Sequence, residues 1–206
     1  MPFVSRTAAA MTLALTCASC TAIKVVTHTT SSDPIDAPAG AYHLDPQHWS
    51  ITFDVDHFGY SRFVMRFDKA TADLDFHPDD PARSAVTAHI AAASIDTNLA
   101  DLDELVKGPE LLESERYPEI TFVSRDLHPT GKNTGEMTGD LTIHGTTQPV
   151  TLEVTFNGGA PNPLTGHHTL GFSATGHFSR SAFRLSHWYP AVGREIRVRI
   201  EAEFDS

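Results

Sequence analysis

Twelve histidines stand in a chain of 206 residues, and their spacing decides what they could do. Imidazoles ligate metals and move protons. A metal centre needs three or four of them, or equivalent ligands, converging on one point. His43, His48 and His57 gather near the start, His167, His168 and His177 near the end, and His187 beside Trp188. His43 and His48 do not share a strand face. His167 and His168 point to opposite sides of an extended chain. The spacing predicts rim and surface histidines with no metal site. His144 falls in a turn, where its expected role is to hydrogen-bond the turn.

Nucleophilic catalysis would need a serine or cysteine beside a base and an oxyanion hole. The chain holds no nucleophile elbow, no phosphate-cradling glycine loop and no dinucleotide fingerprint. Asp54 and Asp56 alternate with apolar neighbours, so they fall on a solvated face. Asp101, Asp103 and Glu104 read as acids on a helix surface. No catalytic residue and no cofactor is assigned, and the chain reads as a non-enzyme. Arg180, between Ser179 and Ser181, stands where a strand run ends. A guanidinium there either meets a ligand headgroup or hydrogen-bonds loop carbonyls.

Cys17 and Cys20 are too few for a disulfide framework. A redox role would need a folded setting that tunes a thiolate, and none is visible around them. Arg6 followed by the apolar run Thr7 to Thr16 has the layout of a secretory signal peptide, so residues 1–19 are expected to be one. That run is too short to span a bilayer. The small residues Ala18 and Ser19 before Cys20 resemble a bacterial lipoprotein signal, which would acylate Cys20 and anchor the chain to a membrane. Cys17 stands where that motif usually has leucine, and ordinary cleavage near Ala18 or Ala22 is the alternative. Residues 20–40 lack periodicity and predict a flexible tether.

The elements that must position any site lie in residues 41–206. Hydrophobic residues make up 40% of the chain, enough for a packed core, and the net charge is −11. Such a surface repels phosphate backbones, so nucleic acid is not an expected partner. From Tyr42 onward apolar side chains recur at every second position. Phe53 and Val55 share one face; so do Phe63, Met65 and Phe67; so do Val154 and Phe156; so do Phe172 and Phe178. Phe122 and Leu141 lie on further runs of this kind. Turn signals such as Pro78-Asp79-Asp80-Pro81 and His144-Gly145 separate the runs. One dry and one wet face per strand predict about eight antiparallel strands, in a closed barrel or a sandwich. Residues 96–118 break the pattern. Leu99, Leu102, Val106, Leu111 and Leu112 recur at helical spacing, with Asp96 or Asn98 as a cap and Pro109 opening a second short helix. In a barrel this excursion must sit at a rim. The small residues Ala88, Gly139, Ala174 and Gly176 interleave with the rings. Small beside large means either a tight taper or a tunnel.

Several segments in order resemble the YceI-like family of periplasmic lipid- and polyisoprenoid-binding proteins. They are Tyr42 to Ser50, Ser94-Ile95-Asp96-Thr97, Tyr117 to Phe122, Gly139 to Gly145 followed by Pro149-Val150, and Ser179 to Phe183. The resemblance implies an all-β, lipocalin-like antiparallel barrel with a short helical excursion at one rim. It also implies a tunnel for a polyprenyl or quinone tail. Phe53, Val55, Phe63, Met65, Phe67, Phe122, Leu141, Val154, Phe156, Phe172 and Phe178 would line that tunnel. The family leads one to expect glycine at Met65 and at Arg184. Met65 would narrow the bore, and Arg184 would join Arg180 in adding charge at a mouth. The expected protein is a non-enzymatic carrier of a long isoprenoid-type lipid, exported to the periplasm and anchored through Cys20. A structural barrel with a filled core, or a haem- or metal-linked electron-transfer accessory, are the alternatives.

Overall fold

Alternation of period two lets each strand bury one face and wet the other, and the chain from Gly40 onward follows it. The computed structural model describes residues 25–206. The expected signal peptide and Cys20 lie outside the described residues. The strands are β1 (Gly40–His57), β2 (Ser61–Phe67), β3 (Ala70–Phe76), β4 (Ala85–Ala91), β5 (Ile95–Asp96), β6 (Glu119–Pro129), β7 (Thr134–Ile143), β8 (Thr146–Pro161), β9 (His168–Ser179) and β10 (Val192–Asp205). Helix α1 (Ala100–Lys107) falls between β5 and β6.

These ten strands make eight antiparallel staves. β2 and β3 lie end to end along one edge of β1, with Met65 opposite Phe53 and Leu74 opposite Tyr42. β4 and β5 run along them in turn, with Val86 opposite Leu74 and Ile95 opposite Phe67. β6 to β10 follow in sequence order. β10 returns to β1, where Val198 faces Phe53, and the ring closes. Among the described residues closure leaves no long edge to pair with another chain.

One end of the barrel, the near end, carries the β1–β2 turn, the excursion between β5 and β6, the β7–β8 turn and the β9–β10 loop. The far end carries the chain before β1 and the β3–β4, β6–β7 and β8–β9 loops. At the far end Tyr42, Phe76, Phe156 and Phe204 are buried, and Phe76, Phe156, Phe172 and Phe204 form a chain of ring contacts.

Three expectations are corrected. Residues before Gly40 are not a free tether throughout. Ser31 and Gly159 exchange two backbone hydrogen bonds (3.1 and 2.9 Å), Lys132 Nζ lies 2.9 Å from Asp33 Oδ2, and Ala37 is buried in the far-end core. The segment docks because β8 offers it an unpaired stretch beyond its bulge at Asn157. Helix α1 has Leu99 at its N-cap, and neither Asp96 nor Asn98 caps it. Asp103 instead reaches back to accept from the Thr97 N–H (2.7 Å) and hydroxyl (2.6 Å). These bonds hold its carboxyl below the usual range. Residues 109–112 form turns and no second helix. Gly108 follows α1, and the Leu112 N–H bonds back to Val106 O, folding the chain onto the end of α1.

Candidate functional site

At the far end Phe76 and Phe156 stack across the barrel, and beyond that ring cluster the inward faces of the eight staves stand apart. They enclose an apolar channel of about 880 Å³. Native interiors hold few voids larger than a water molecule, so a space of this size is part of the design and not a packing flaw. It falls in the range of small-molecule sites. A core packed solid is therefore not what the chain builds.

All eleven residues expected to line a tunnel do line this channel. They differ in how far they are covered. Val55, Met65, Phe67, Phe122 and Phe156 are buried, while Phe53, Phe63, Leu141, Val154, Phe172 and Phe178 are only partly so. Phe53 stacks on Phe67 at 5.2 Å between ring centres. Gly139 explains part of the wall's geometry. A Cβ there would overlap the Phe122 ring and lie 2.7 Å from Val123 O, so glycine lets that ring lie flat against β7. The same holds at Gly176, where a Cβ would meet Leu152 Cδ2 at 2.6 Å.

The excursion adds Leu99, Leu102, Val106, Leu111 and Leu112 to the lining, and the near-end loops add Phe58 and Trp188. Helical spacing made the five aliphatic residues visible in the sequence. Phe58 and Trp188 sit in turns, which have no period, so no sequence signal places them at the channel.

Arg180 also lines the channel and is 6% exposed. Its guanidinium donates to three carbonyls: Nε to Gly193 O (2.7 Å), Nη1 to Leu185 O (2.5 Å) and Nη2 to Val192 O (2.7 Å). It thus ties the start of the β9–β10 loop to Leu185 and to the first residues of β10, the second of the two roles its position allowed. Burial lowers its pKa from the ordinary arginine value. Arg184 does not join it. That side chain is exposed and is not part of the lining, so it adds no charge to the channel. Its φ of 65° places it in the left-handed region, a conformation glycine adopts freely, which accounts for the family's expected glycine there.

His144 departs from its expected role. Its Nε2 lies 3.2 Å from Glu113 Oε2, and its ring packs edge-on against Tyr117, so it joins the β7–β8 turn to the excursion. On the outer wall, β1 carries four residues, Asp45 to His48, opposite the single residue Glu203. That bulge brings one ligand atom each of Asp45, His48 and Glu203 within 4.8 Å of one another. Spacing along the chain hides this grouping, because the bulge undoes the period-two rule. His48 Nδ1 is 2.7 Å from Asp45 Oδ2, and that hydrogen bond and the carboxylate charge raise its pKa above the ordinary 6.5.

An eight-stave antiparallel barrel around an apolar channel is a lipocalin-like architecture. The profile of the YceI-like domain matches residues 42–204, and the chain belongs to the YceI family. A UPF0312 protein of Pseudomonas savastanoi pv. phaseolicola is 34% identical over 151 residues, covering 72% of this chain and 78% of the relative. The crystal structure of Burkholderia cenocepacia BcnA superposes with a TM-score of 0.71 at 25% identity, over 78% of this chain and 98% of that one. A polyisoprenoid binding domain from Saccharophagus degradans shares the fold at a TM-score of 0.60 and 10% identity, over 82% of this chain and 99% of that domain.

Proposed function

We propose that the protein is a non-enzymatic carrier that holds a long isoprenoid-type lipid, such as a polyprenyl or quinone tail, inside the barrel. The observation that carries this reading is the apolar channel of about 880 Å³ running between the two ends. Its wall is hydrocarbon and aromatic, which suits a chain bound by burial. At about 25 cal/mol per Å² of apolar surface, a few isoprene units reach micromolar affinity after the costs of association. The Saccharophagus degradans domain, described as polyisoprenoid binding, supports the same ligand class. In this reading the chain is exported to the periplasm, and acylation of Cys20 anchors it to a membrane. Cys20→Ala should then move it from the membrane fraction to the soluble periplasm.

The partial burial of the lining rings supplies a test. Phe122 and Phe156 are buried, so truncation to alanine should cost about 3–5 kcal/mol, as in a filled core. Phe53 and Phe172 present part of their surface to the channel, so Phe53→Ala and Phe172→Ala should cost less and weaken lipid retention more. Thermal melts and mass spectrometry of organic extracts from each purified variant measure both quantities. Extracts of the native protein free of long-chain lipid, with no uptake when isoprenoid is supplied, would overturn the carrier reading.

A further inference from the structure

At the near end the dry surface does not stop at the channel mouth. Four aromatic residues are exposed among the described residues, Phe58, Tyr60, Trp188 and Tyr189, and all four stand at this end. Leu99 and Leu105 of the excursion join them, 56% and 59% exposed. Phe58, Leu99 and Trp188 are exposed and also line the channel, so one apolar surface runs from the outside to the interior. The three segments that carry it are tied together. The Phe58 N–H donates to Ala191 O at 2.8 Å, and His187 Nδ1 lies 3.3 Å from Glu110 Oε2.

A second observation concerns the backbone. Phe58 (φ 56°) and Trp188 (φ 62°) both occupy the left-handed region. Cβ crowding disfavours that region for bulky side chains, and asparagine or glycine would fit each turn better. Aromatic residues held there are explained by what they present outward.

We propose that this collar docks on a zwitterionic lipid bilayer. The mouth is then seated in the acyl layer, and an isoprenoid chain passes between membrane and channel without crossing water. The proposal rests on the carrier reading. Trp, Tyr and Phe are the side chains of the membrane interface. Charge complementarity sets the kind of membrane. The excursion carries Asp101, Asp103, Glu104, Glu110, Glu113 and Glu115 against Lys107 and Arg116; exposed Arg184 and Arg194, the latter 3.9 Å over the Tyr189 ring, add two cations across the mouth, and the whole chain is −11. Acids still outnumber bases around the mouth, so electrostatic attraction to anionic lipid is not the main driving force, and apolar insertion must supply it.

The test uses the full chain with Cys20→Ser in every sample, so that no acyl anchor contributes. The informative variant is Phe58→Asn with Trp188→Asn. Asparagine tolerates the left-handed backbone, so the melting temperature should not fall below that of the parent. The parent should float with quinone-free phosphatidylcholine vesicles and the double variant should not. Offered ubiquinone-10 in such vesicles, the variant should take it up at least about tenfold more slowly than the parent. Phe58 and Trp188 also line the channel mouth, so uptake of quinone offered from ethanol measures any change in capacity, and the tenfold fall is read after dividing by it. Val64→Asn, at an exposed apolar position on the barrel wall, should change nothing. Equal flotation and equal vesicle uptake by parent and double variant would overturn the collar. So would a parent dimer that the double variant converts to monomer, because the patch would then be a self-interface. Quinone uptake by neither protein from either source would overturn the carrier reading, while flotation on quinone-free vesicles still judges the collar.

Discussion

Arg180→Met should unfold the near end of the barrel at a lower temperature and leave the channel wall intact. The guanidinium makes three charge-assisted bonds of 2.5–2.7 Å, to the carbonyl of Leu185 in the β9–β10 loop and to those of Val192 and Gly193 at the start of β10. Each such bond is worth about 1.5–3 kcal/mol net, so their gross loss is roughly 5–9 kcal/mol. Against this stands the cost of keeping a cation in a buried site, several kcal/mol, which the neutral thioether avoids. The expected net loss is about 3–5 kcal/mol. For a domain of this size 1 kcal/mol shifts the melting temperature by about 2–4 °C, which puts the fall at roughly 6–20 °C. Arg180→Lys should fall between, because an ammonium keeps the charge and cannot reach three carbonyls in fixed directions. Melting followed by circular dichroism gives the shift, and extraction of the folded variant gives bound lipid per molecule. The structural role requires a lower melting temperature with lipid content unchanged. An unchanged melting temperature with lipid lost would refute it and make Arg180 a headgroup ligand.

His48 should titrate above 6.5 by NMR, and Asp45→Asn should bring it back toward that value. Because the folded value is raised, the stabilisation from this pair is complete below about pH 6.5 and disappears as pH rises through the folded value. Gly139→Val should force the Phe122 ring off β7 and into the channel, costing about 1–3 kcal/mol by overpacking and reducing the length of chain retained; melts and mass spectrometry of extracts read the two effects.

The staves were legible because each has one wet face, and alternation of that kind survives almost any detail of packing. Their register was not. The four-residue bulge at Asp45 to His48 and the breaks at Asp68-Lys69 and Ala92 to Ser94 change which residues pair, and each depends on a partner stave far away in sequence. Residues 31–39 read as tether for the same reason. Their contacts are to Gly159 and Lys132, more than ninety residues distant, and leave no local period. Arg180 was visible as a charge at a strand end, but the choice between headgroup and loop carbonyls needed the positions of Leu185, Val192 and Gly193.

Whether the barrel is hollow could not be read from the same apolar faces, since identical rings either fill an interior or line one. Eight staves give a radius at which both outcomes are open. What tips the balance is where the small residues fall. Ala174 sits opposite Val154 and Ile200, and Gly176 opposite Leu152 and Val198, while the large rings of Phe76, Phe156, Phe172 and Phe204 collect at the far end. Volume is thus spent at the far end and withheld toward the middle. At the near end the excursion and the β9–β10 loop, joined through Glu110 and His187, both turn aliphatic and aromatic side chains into the channel wall. The one strong polar group among them, Arg180, is held back against backbone carbonyls of the loop and of β10, which leaves hydrocarbon to face whatever enters.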